Sequence, residues 1–249
     1  MSGLKVSVVK FVNAFPFLYG LTEKPPAEMS ELTTDVPSEC ARKVMSGEAD
    51  IGLIPVAVTK KMESFYIAGD YCVGAVGPVF SVALYSNDPV ERIKTIHLDV
   101  NSRSSAALLR VLVREKWKIN PEWIEDVSLP DQFIGNGNAA LVIGDRTFSL
   151  EGKFQFKYDL AEAWLEYTKL PFVFACFVSK RPLSVKFVEQ LNESMRYGVE
   201  NLSDCLDALL PEQDLKDKNM YLDYLKKNVS YPLDSLKRQG MELFLSKIQ

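Results

Sequence analysis

The sequence contains one histidine, His97, among 249 residues. This scarcity excludes any metal site that needs two imidazoles. A Ser-His-Asp or Cys-His catalytic device would have to use His97, and no partner motif accompanies that residue. The alternation of its predicted strand places His97 on the outward side, and we assign it no role.

Cysteine is also scarce, and the four cysteines are far apart with no Cys-x-x-Cys pair: Cys40, Cys72, Cys176 and Cys205. This spacing is typical of neither a disulfide framework nor a zinc site, so four reduced thiols are expected. The glycine-rich loops that bind nucleotide phosphates, G-x-x-x-x-G-K-[ST] and G-x-G-x-x-G, are absent. We therefore expect neither a metal nor a cofactor.

Basic residues are not in excess, because 29 Lys and Arg stand against 33 Asp and Glu, a net charge of -4. A nucleic-acid or membrane-surface partner would show as a basic excess, so neither is expected. The longest uncharged run, residues 71–87, contains glycine, proline and serine and is typical of strands. The amino terminus lacks the apolar stretch of a secretion signal, which predicts a cytoplasmic protein.

The elements that are present alternate between strand and helix. A strand over residues 5–12 is followed by a second over 32–36, by a helix that starts at Pro37 and stops at Gly47, and by a buried strand ending at Pro55. This alternation predicts a mostly parallel sheet covered by helices. Further strands are predicted near 66–68, 79–85, 94–100, 139–143 and 172–178, with a helix from 103 to about 116 and helices from 184 onward.

Two short segments, residues 46–54 and 136–144, each place a glycine turn before an apolar strand of small residues. They suggest two lobes of like construction, with boundaries in the polar stretches Ser86–Pro89 and Ser179–Pro182. The predicted fold is α/β with lobe I formed by residues 1–86 and 177–249, and lobe II by residues 87–176. Such a fold has a cleft between its lobes, where small ligands bind, and it can close like a hinge.

Residues Ser102, Arg103, Ser104 and Ser105 stand at a predicted strand-to-helix junction, where Asn101 or Ser102 could cap the helix. Hydroxyls, free backbone N–H groups and the positive end of the helix dipole favour an anion there. Arg103 adds a fork that matches a carboxylate. The simpler alternative is ordinary helix capping beside an exposed arginine.

Four further residues are candidates for ligand contact. Asn13 ends the first strand among aromatic residues, where ligands of α/β sheets bind, although an Asx turn before Pro16 explains it equally well. Ser81 lies in an apolar strand, and its hydroxyl suits a hydrogen bond to a ligand better than nucleophilic attack. Gly144 and Asp145 end a buried strand, so Asp145 could act as a general base, cap the next turn or pair with Arg146.

Taken in order, six segments resemble the chorismate dehydratases of the futalosine route to menaquinone. They are residues 11–16 (Phe-Val-Asn-Ala-Phe-Pro), 47–55, 77–81 (Gly-Pro-Val-Phe-Ser), 102–105 (Ser-Arg-Ser-Ser), 141–145 (Leu-Val-Ile-Gly-Asp) and 170–175 (Leu-Pro-Phe-Val-Phe-Ala). The resemblance spans roughly residues 4 to 180. It implies a periplasmic-binding-protein-like fold of type II and a lyase that dehydrates chorismate to 3-[(1-carboxyvinyl)oxy]benzoate. It also implies that Asn13 and Ser81 are active-site residues.

The chemistry of that reaction fits the candidate residues. Chorismate carries two carboxylates, which Ser102–Ser105 and Gly144 would bind without a metal. An amide cannot accept a proton near pH 7, so the base would be Asp145 or the substrate's own enolpyruvyl carboxylate, and the sequence favours neither. Two alternatives are a cytosolic binding protein for an aromatic or alicyclic carboxylate, and the sister cyclase of the same pathway.

Overall fold

The structure, a computed structural model, describes residues 3–99 and 102–248. The strands in these ranges are β1 (Leu4–Val9), β2 (Met29–Asp35), β3 (Ile51–Pro55), β4 (Tyr66–Ala75), β5 (Val82–Ser86), β6 (Thr95–Asp99), β7 (Glu122–Val127), β8 (Asn138–Ile143), β9 (Phe156–Asp159), β10 (Phe172–Ser179) and β11 (Ser230–Pro232). The α-helices are α1 (Phe15–Glu23), α2 (Pro37–Ser46), α3 (Ser104–Leu112), α4 (Leu160–Thr168), α5 (Val185–Glu200), α6 (Leu202–Leu209), α7 (Lys218–Lys227) and α8 (Ser235–Lys247).

The first sheet has the strand order β11-β4-β10-β3-β1-β2. Its β1, β2 and β3 are parallel, with Val6 opposite Leu32 on one side and Ile51 on the other. Helices α1 and α2 connect these strands, so the predicted strand-helix alternation is confirmed here. The predicted limits of α2 are confirmed as well, because Pro37 begins the helix and Gly47 ends it with a φ of +81°.

The second sheet has the order β7-β6-β8-β5-β9. Strand β6 is parallel to both β7 and β8, whereas β5 is antiparallel to β8 and β9. Strands β10 and β11 are also antiparallel to their neighbours β3 and β4. The prediction of a mostly parallel sheet is therefore wrong, because antiparallel pairs are as frequent as parallel pairs among the strand pairings described. A fully buried strand is a continuous apolar run in either direction, so the sequence of these strands does not distinguish parallel from antiparallel pairing.

The chain divides into two compact units, residues 1–74 with 173–234, and residues 75–172 with 235–249. The boundary predicted after residue 86 falls inside the second unit, because β5 is hydrogen-bonded on both sides within the second sheet. The C-terminal helix α8, predicted for lobe I, also groups with the second unit. There the ring of Phe244 lies 4.9 Å from that of Phe172 and 6.1 Å from that of Trp164.

Two local expectations differ from the structure. The helix predicted to run from 103 to about 116 ends as an α-helix at Leu112 and continues as a π-helical turn over Val113–Trp117. His97, predicted to point outward, is buried and stacks on Phe133 with 4.8 Å between ring centroids. A strand covered on both faces buries every residue, so alternation did not predict its position. No helix in the described ranges is both long and apolar enough to cross a bilayer.

Candidate active site

In the first unit, the motif Phe11–Phe17 follows the carboxyl end of β1. Asn13 is half-buried in a 3-10 turn between the buried residues Val12 and Ala14. The turn is closed by a 2.8 Å hydrogen bond from Ala14 N to Phe11 O. Helix α1 begins directly after it, and its first turn has no side-chain cap. The Asn13 amide therefore stands at the strand's carboxyl end, the edge where α/β sheets bind ligands.

Helix α1 is held in place by a close crossing with α5 and by an aromatic cluster. Gly20 and Gly198 meet at the crossing, where a Cβ on Gly198 would lie 2.6 Å from the carbonyl carbon of Pro16. The ring of Phe17 lies 5.3 Å from that of Tyr231 and 5.6 Å from that of Phe177. Because Pro16 and Phe17 directly follow the Asn13 turn, these contacts fix the position of the turn.

In the second unit, the remaining candidate residues gather at one edge of the sheet. Strands β6 and β8 are parallel, so Ser102–Ser105 and Gly144–Asp145 follow their carboxyl ends on the same side. Strand β5 runs the opposite way, which brings Ser81, just before its first residue, to that side as well. A 2.8 Å hydrogen bond from Gly144 N to Ser81 O joins two of these segments directly.

Ser81 belongs to a tight turn that precedes β5. Its backbone N–H donates to Val79 O at 2.8 Å, and Phe80 between them has a φ of +68°. The side chain of Ser81 is buried, with 1% of its surface exposed. The N–H of Phe80 donates to the carboxylate of Asp159, which ends β9 on the same edge of the sheet.

At the junction after β6, one side-chain hydrogen bond matches the capping that the sequence predicted. Ser102 Oγ accepts from Ala106 N at 3.1 Å, and Ser102 N donates to Asp99 O at 3.0 Å. Ser104 and Ser105 are buried in the first turn of α3, whereas Arg103 is exposed. Ser102 thus accepts from a backbone N–H of the first turn as predicted, although it stands one residue before the N-cap position, which Arg103 occupies. Anion binding by the segment stays a prediction. Asn101, the other predicted cap, lies outside the described residues.

After β8, Gly144 adopts a φ of +71°, which a residue with a Cβ would adopt only with strain. A 3-10 stretch, Gly144–Leu150, follows and holds Asp145 half-buried in its first turn. The guanidinium of Arg146 pairs with Asp131 and donates to Ser128 O at 3.1 Å. Gly144 therefore turns the chain so that Asp145 lies at the same sheet edge as Ser81.

A sequence model of the family described as menaquinone biosynthesis matches residues 4–249. The chain belongs to this family. A chorismate dehydratase of Thermus thermophilus is 26% identical over 227 residues, which are 84% of this chain and 83% of that protein. The family match and the Thermus thermophilus relative both confirm the resemblance of the six sequence segments to chorismate dehydratases.

Solved structures show the fold of this menaquinone-biosynthesis family member. A protein of Archaeoglobus fulgidus superposes with a TM-score of 0.78 at 16% identity, covering 99% of this chain and 96% of that one. A Candida albicans gene product, described as having the generic periplasmic binding protein fold, superposes with a TM-score of 0.64 at 11% identity over 98% and 90% of the two chains. The fold is a two-lobed, periplasmic-binding-protein-like α/β fold, as predicted.

The main residue that the sequence analysis of this family member missed is Asp159. It is 7% exposed, and burial raises the pKa of its carboxyl although four backbone N–H groups oppose the rise. Its side chain caps α4 by accepting from Ala161 N and Glu162 N at 3.0 and 3.1 Å. The spacing Asp159-x-x-Glu162 is a helix-start signal that could have identified the cap. The contact with Phe80 had no local signal.

Proposed function

We propose that this menaquinone-biosynthesis family member is a hydro-lyase that converts chorismate to 3-[(1-carboxyvinyl)oxy]benzoate and water. The similarity to the Thermus thermophilus chorismate dehydratase, which extends over more than four fifths of both chains, is the observation that carries the proposal. The positions of the candidate residues at the carboxyl edges of the two sheets support it.

The reaction needs fixed hydrogen-bond donors more than reactive side chains. Removal of the proton beside the enol-ether oxygen leaves a charge that spreads through the ring diene into the ring carboxylate. The hydroxyl on the neighbouring carbon then leaves, and the ring becomes aromatic. Donors held on the ring carboxylate bind this transition state better than the ground state, which accelerates proton removal.

We assign the binding of the two carboxylates to Ser102–Ser105 and to the backbone around Gly144. The first turn of α3 supplies hydroxyls and N–H groups near the positive end of a helix dipole, and Arg103 supplies an exposed guanidinium. Asn13 and Ser81 orient the substrate and donate to the departing hydroxyl. Neither is the base, because an amide and a hydroxyl do not accept a proton near pH 7.

The base is either Asp145 or the substrate's enolpyruvyl carboxylate, and the variant Asp145→Asn distinguishes them. If Asp145 is the base, kcat falls by about 10²- to 10⁴-fold, the usual contribution of a general base. If the substrate supplies the base, turnover stays near that of the wild type. Asp207→Asn is the matched control, because this exposed carboxylate on α6 pairs with Lys218, a residue with no described contact to a candidate residue.

The decisive experiment incubates the purified chain with chorismate and follows absorbance and product mass. A new aromatic product lighter than chorismate by one water supports the proposal. Intact chorismate after prolonged incubation would refute it, and saturable binding without turnover would then indicate a solute-binding protein. Cytoplasmic location and the absence of a cofactor remain predictions from the sequence. Activity after exhaustive treatment with a chelator tests whether a metal ion is needed.

A further inference from the structure

The turn before Ser81 is strained. Val79, Phe80 and Ser81 form a three-residue turn closed by the 2.8 Å hydrogen bond from Ser81 N to Val79 O. With a φ of +68° at Phe80, it is the form of γ-turn with a positive central φ, which is the rarer and less favourable of the two forms. A bulky aromatic residue seldom adopts this backbone conformation. Such strain persists only where surrounding contacts impose it.

The contact that imposes it comes from Asp159. Its Oδ2 accepts from Phe80 N at 2.6 Å, a short hydrogen bond strengthened by the charge of the carboxylate. The other oxygen, Oδ1, accepts from Ala161 N and Glu162 N at the start of α4. The carboxylate is therefore fixed by α4 on one side and fixes the turn on the other.

Further contacts hold the turn from its remaining sides. Gly144 N donates to Ser81 O, and β5 continues from Ser81 with Val82 opposite Ile143 in β8. The ammonium of Lys157 lies 3.6 Å from the centroid of the Phe80 ring. These contacts fix the carbonyl of Ser81 and the ring of Phe80, whereas Asp159 fixes the N–H of Phe80.

We propose that Asp159 is a positioning residue for Ser81: by holding Phe80 in the strained turn, its carboxylate sets the position of the Ser81 side chain for the dehydration. The inference rests on the proposed function and adds to it a residue that acts through the backbone N–H of Phe80. Position matters here because a displacement of about 1 Å in a catalytic group costs about 10²-fold in rate.

The variant Asp159→Asn tests the proposal. Its amide oxygen can still cap α4, but its nitrogen then faces the N–H of Phe80, donor against donor. We expect kcat to fall by about 10²-fold and KM to change by less than about threefold. Ser81→Ala should give a loss of similar size, and the double variant should lose no more than either single one, because residues that act as a unit are not additive.

A matched control separates positioning from helix capping. Ser184 caps α5 by accepting from Phe187 N at 3.1 Å, and it lies at the opposite end of that helix from the Gly198 crossing. Ser184→Ala should lower the Tm by an amount similar to that of Asp159→Asn and leave kcat unchanged. If both cap variants lower kcat equally, the loss is one of stability and the proposal is overturned.

Two measurements keep the test decisive. In the variant Phe80→Gly, glycine adopts a positive φ without strain, so adding Asp159→Asn should cost less than about threefold even if Asp159→Asn alone does not fold. A larger, additive loss in that background overturns the proposal.

The amide NMR signals of Phe80 and Ser81 give a readout independent of turnover. If the wild type leaves chorismate intact, the proposed function fails, and unchanged signals in Asp159→Asn would separately refute the role of Asp159.

Discussion

The crossing of α1 and α5 makes Gly198 the position where one added methyl group should cost most. In Gly198→Ala, the new Cβ would lie 2.6 Å from the carbonyl carbon of Pro16 and closer still to its oxygen, whereas ordinary contact begins at 3.4 Å. Both neighbours are backbone, so no side chain can rotate away. Helix α1 must move, and it carries the turn that contains Asn13.

We expect destabilisation near the upper end of the range for overpacking, about 3 kcal/mol. For a chain of this size such a change lowers the Tm by roughly 6–12 °C. Displacement of the Asn13 turn should also lower kcat/KM by about 10-fold or more, given the sensitivity of catalysis to small displacements. Thermal unfolding and turnover of chorismate measure the two effects.

Gly47→Ala is the control for Gly198→Ala. Gly47 has a φ of +81° but no atom within 4 Å of an added Cβ, so its replacement strains only its own backbone. We expect a loss of about 1–2 kcal/mol and normal activity in the folded variant. If Gly198→Ala matches the wild type in both Tm and kcat/KM, the close crossing does not position the Asn13 turn and the reasoning is refuted.

Two further predictions concern titratable groups. Burial opposes ionisation of Asp35, but hydrogen bonds from Lys43 and from the Ser7 and Thr33 hydroxyls outweigh it and lower the pKa of its carboxyl. The resulting stability is present above the unfolded pKa of about 3.9 and lost as pH falls through the lower folded value, so the Tm should fall below about pH 4, and less steeply in Asp35→Asn. All four cysteines are buried, and burial raises the pKa of Cys40 to about 11 and that of Cys205 to about 12. A thiol reagent should therefore react slowly with the native protein and should label four thiols after denaturation. Fast labelling of the native protein would contradict this prediction.

The sequence predicted the elements whose limits are set by local chemistry. Helix α2 begins at Pro37 and ends at Gly47 because the fixed φ of proline and the positive φ of glycine suit those positions. Strand β3 was predicted from its short run of small and apolar residues, and Pro55 is its last residue. Each of these signals lies within a few residues of the boundary that it marks.

What the sequence did not predict depends on contacts between distant segments. Strand β5 is antiparallel to β8, and β10 is antiparallel to β3, but a buried apolar run does not indicate the direction of its pairing. The assignment of β5 to the second unit follows from hydrogen bonds with β8 and β9, which come much later in the chain. The bond between Asp159 and Phe80 is of the same kind, so the candidate residue Ser81 was found while the residue that holds its turn was not.

Asn13 and Ser81 share a property that explains why such distant contacts matter. An amide and a hydroxyl do not titrate near pH 7, so the protein cannot adjust their contribution by shifting a pKa. Their effect on the transition state depends on where they are held, since donors that need no rearrangement during the reaction are the effective ones. Both turns are held by contacts to their backbone, from Gly198 to Pro16 in one unit and from the Asp159 carboxylate to Phe80 N in the other. If the proposed reaction is correct, substitutions at Gly198 and Asp159 should therefore impair turnover without either residue touching the substrate.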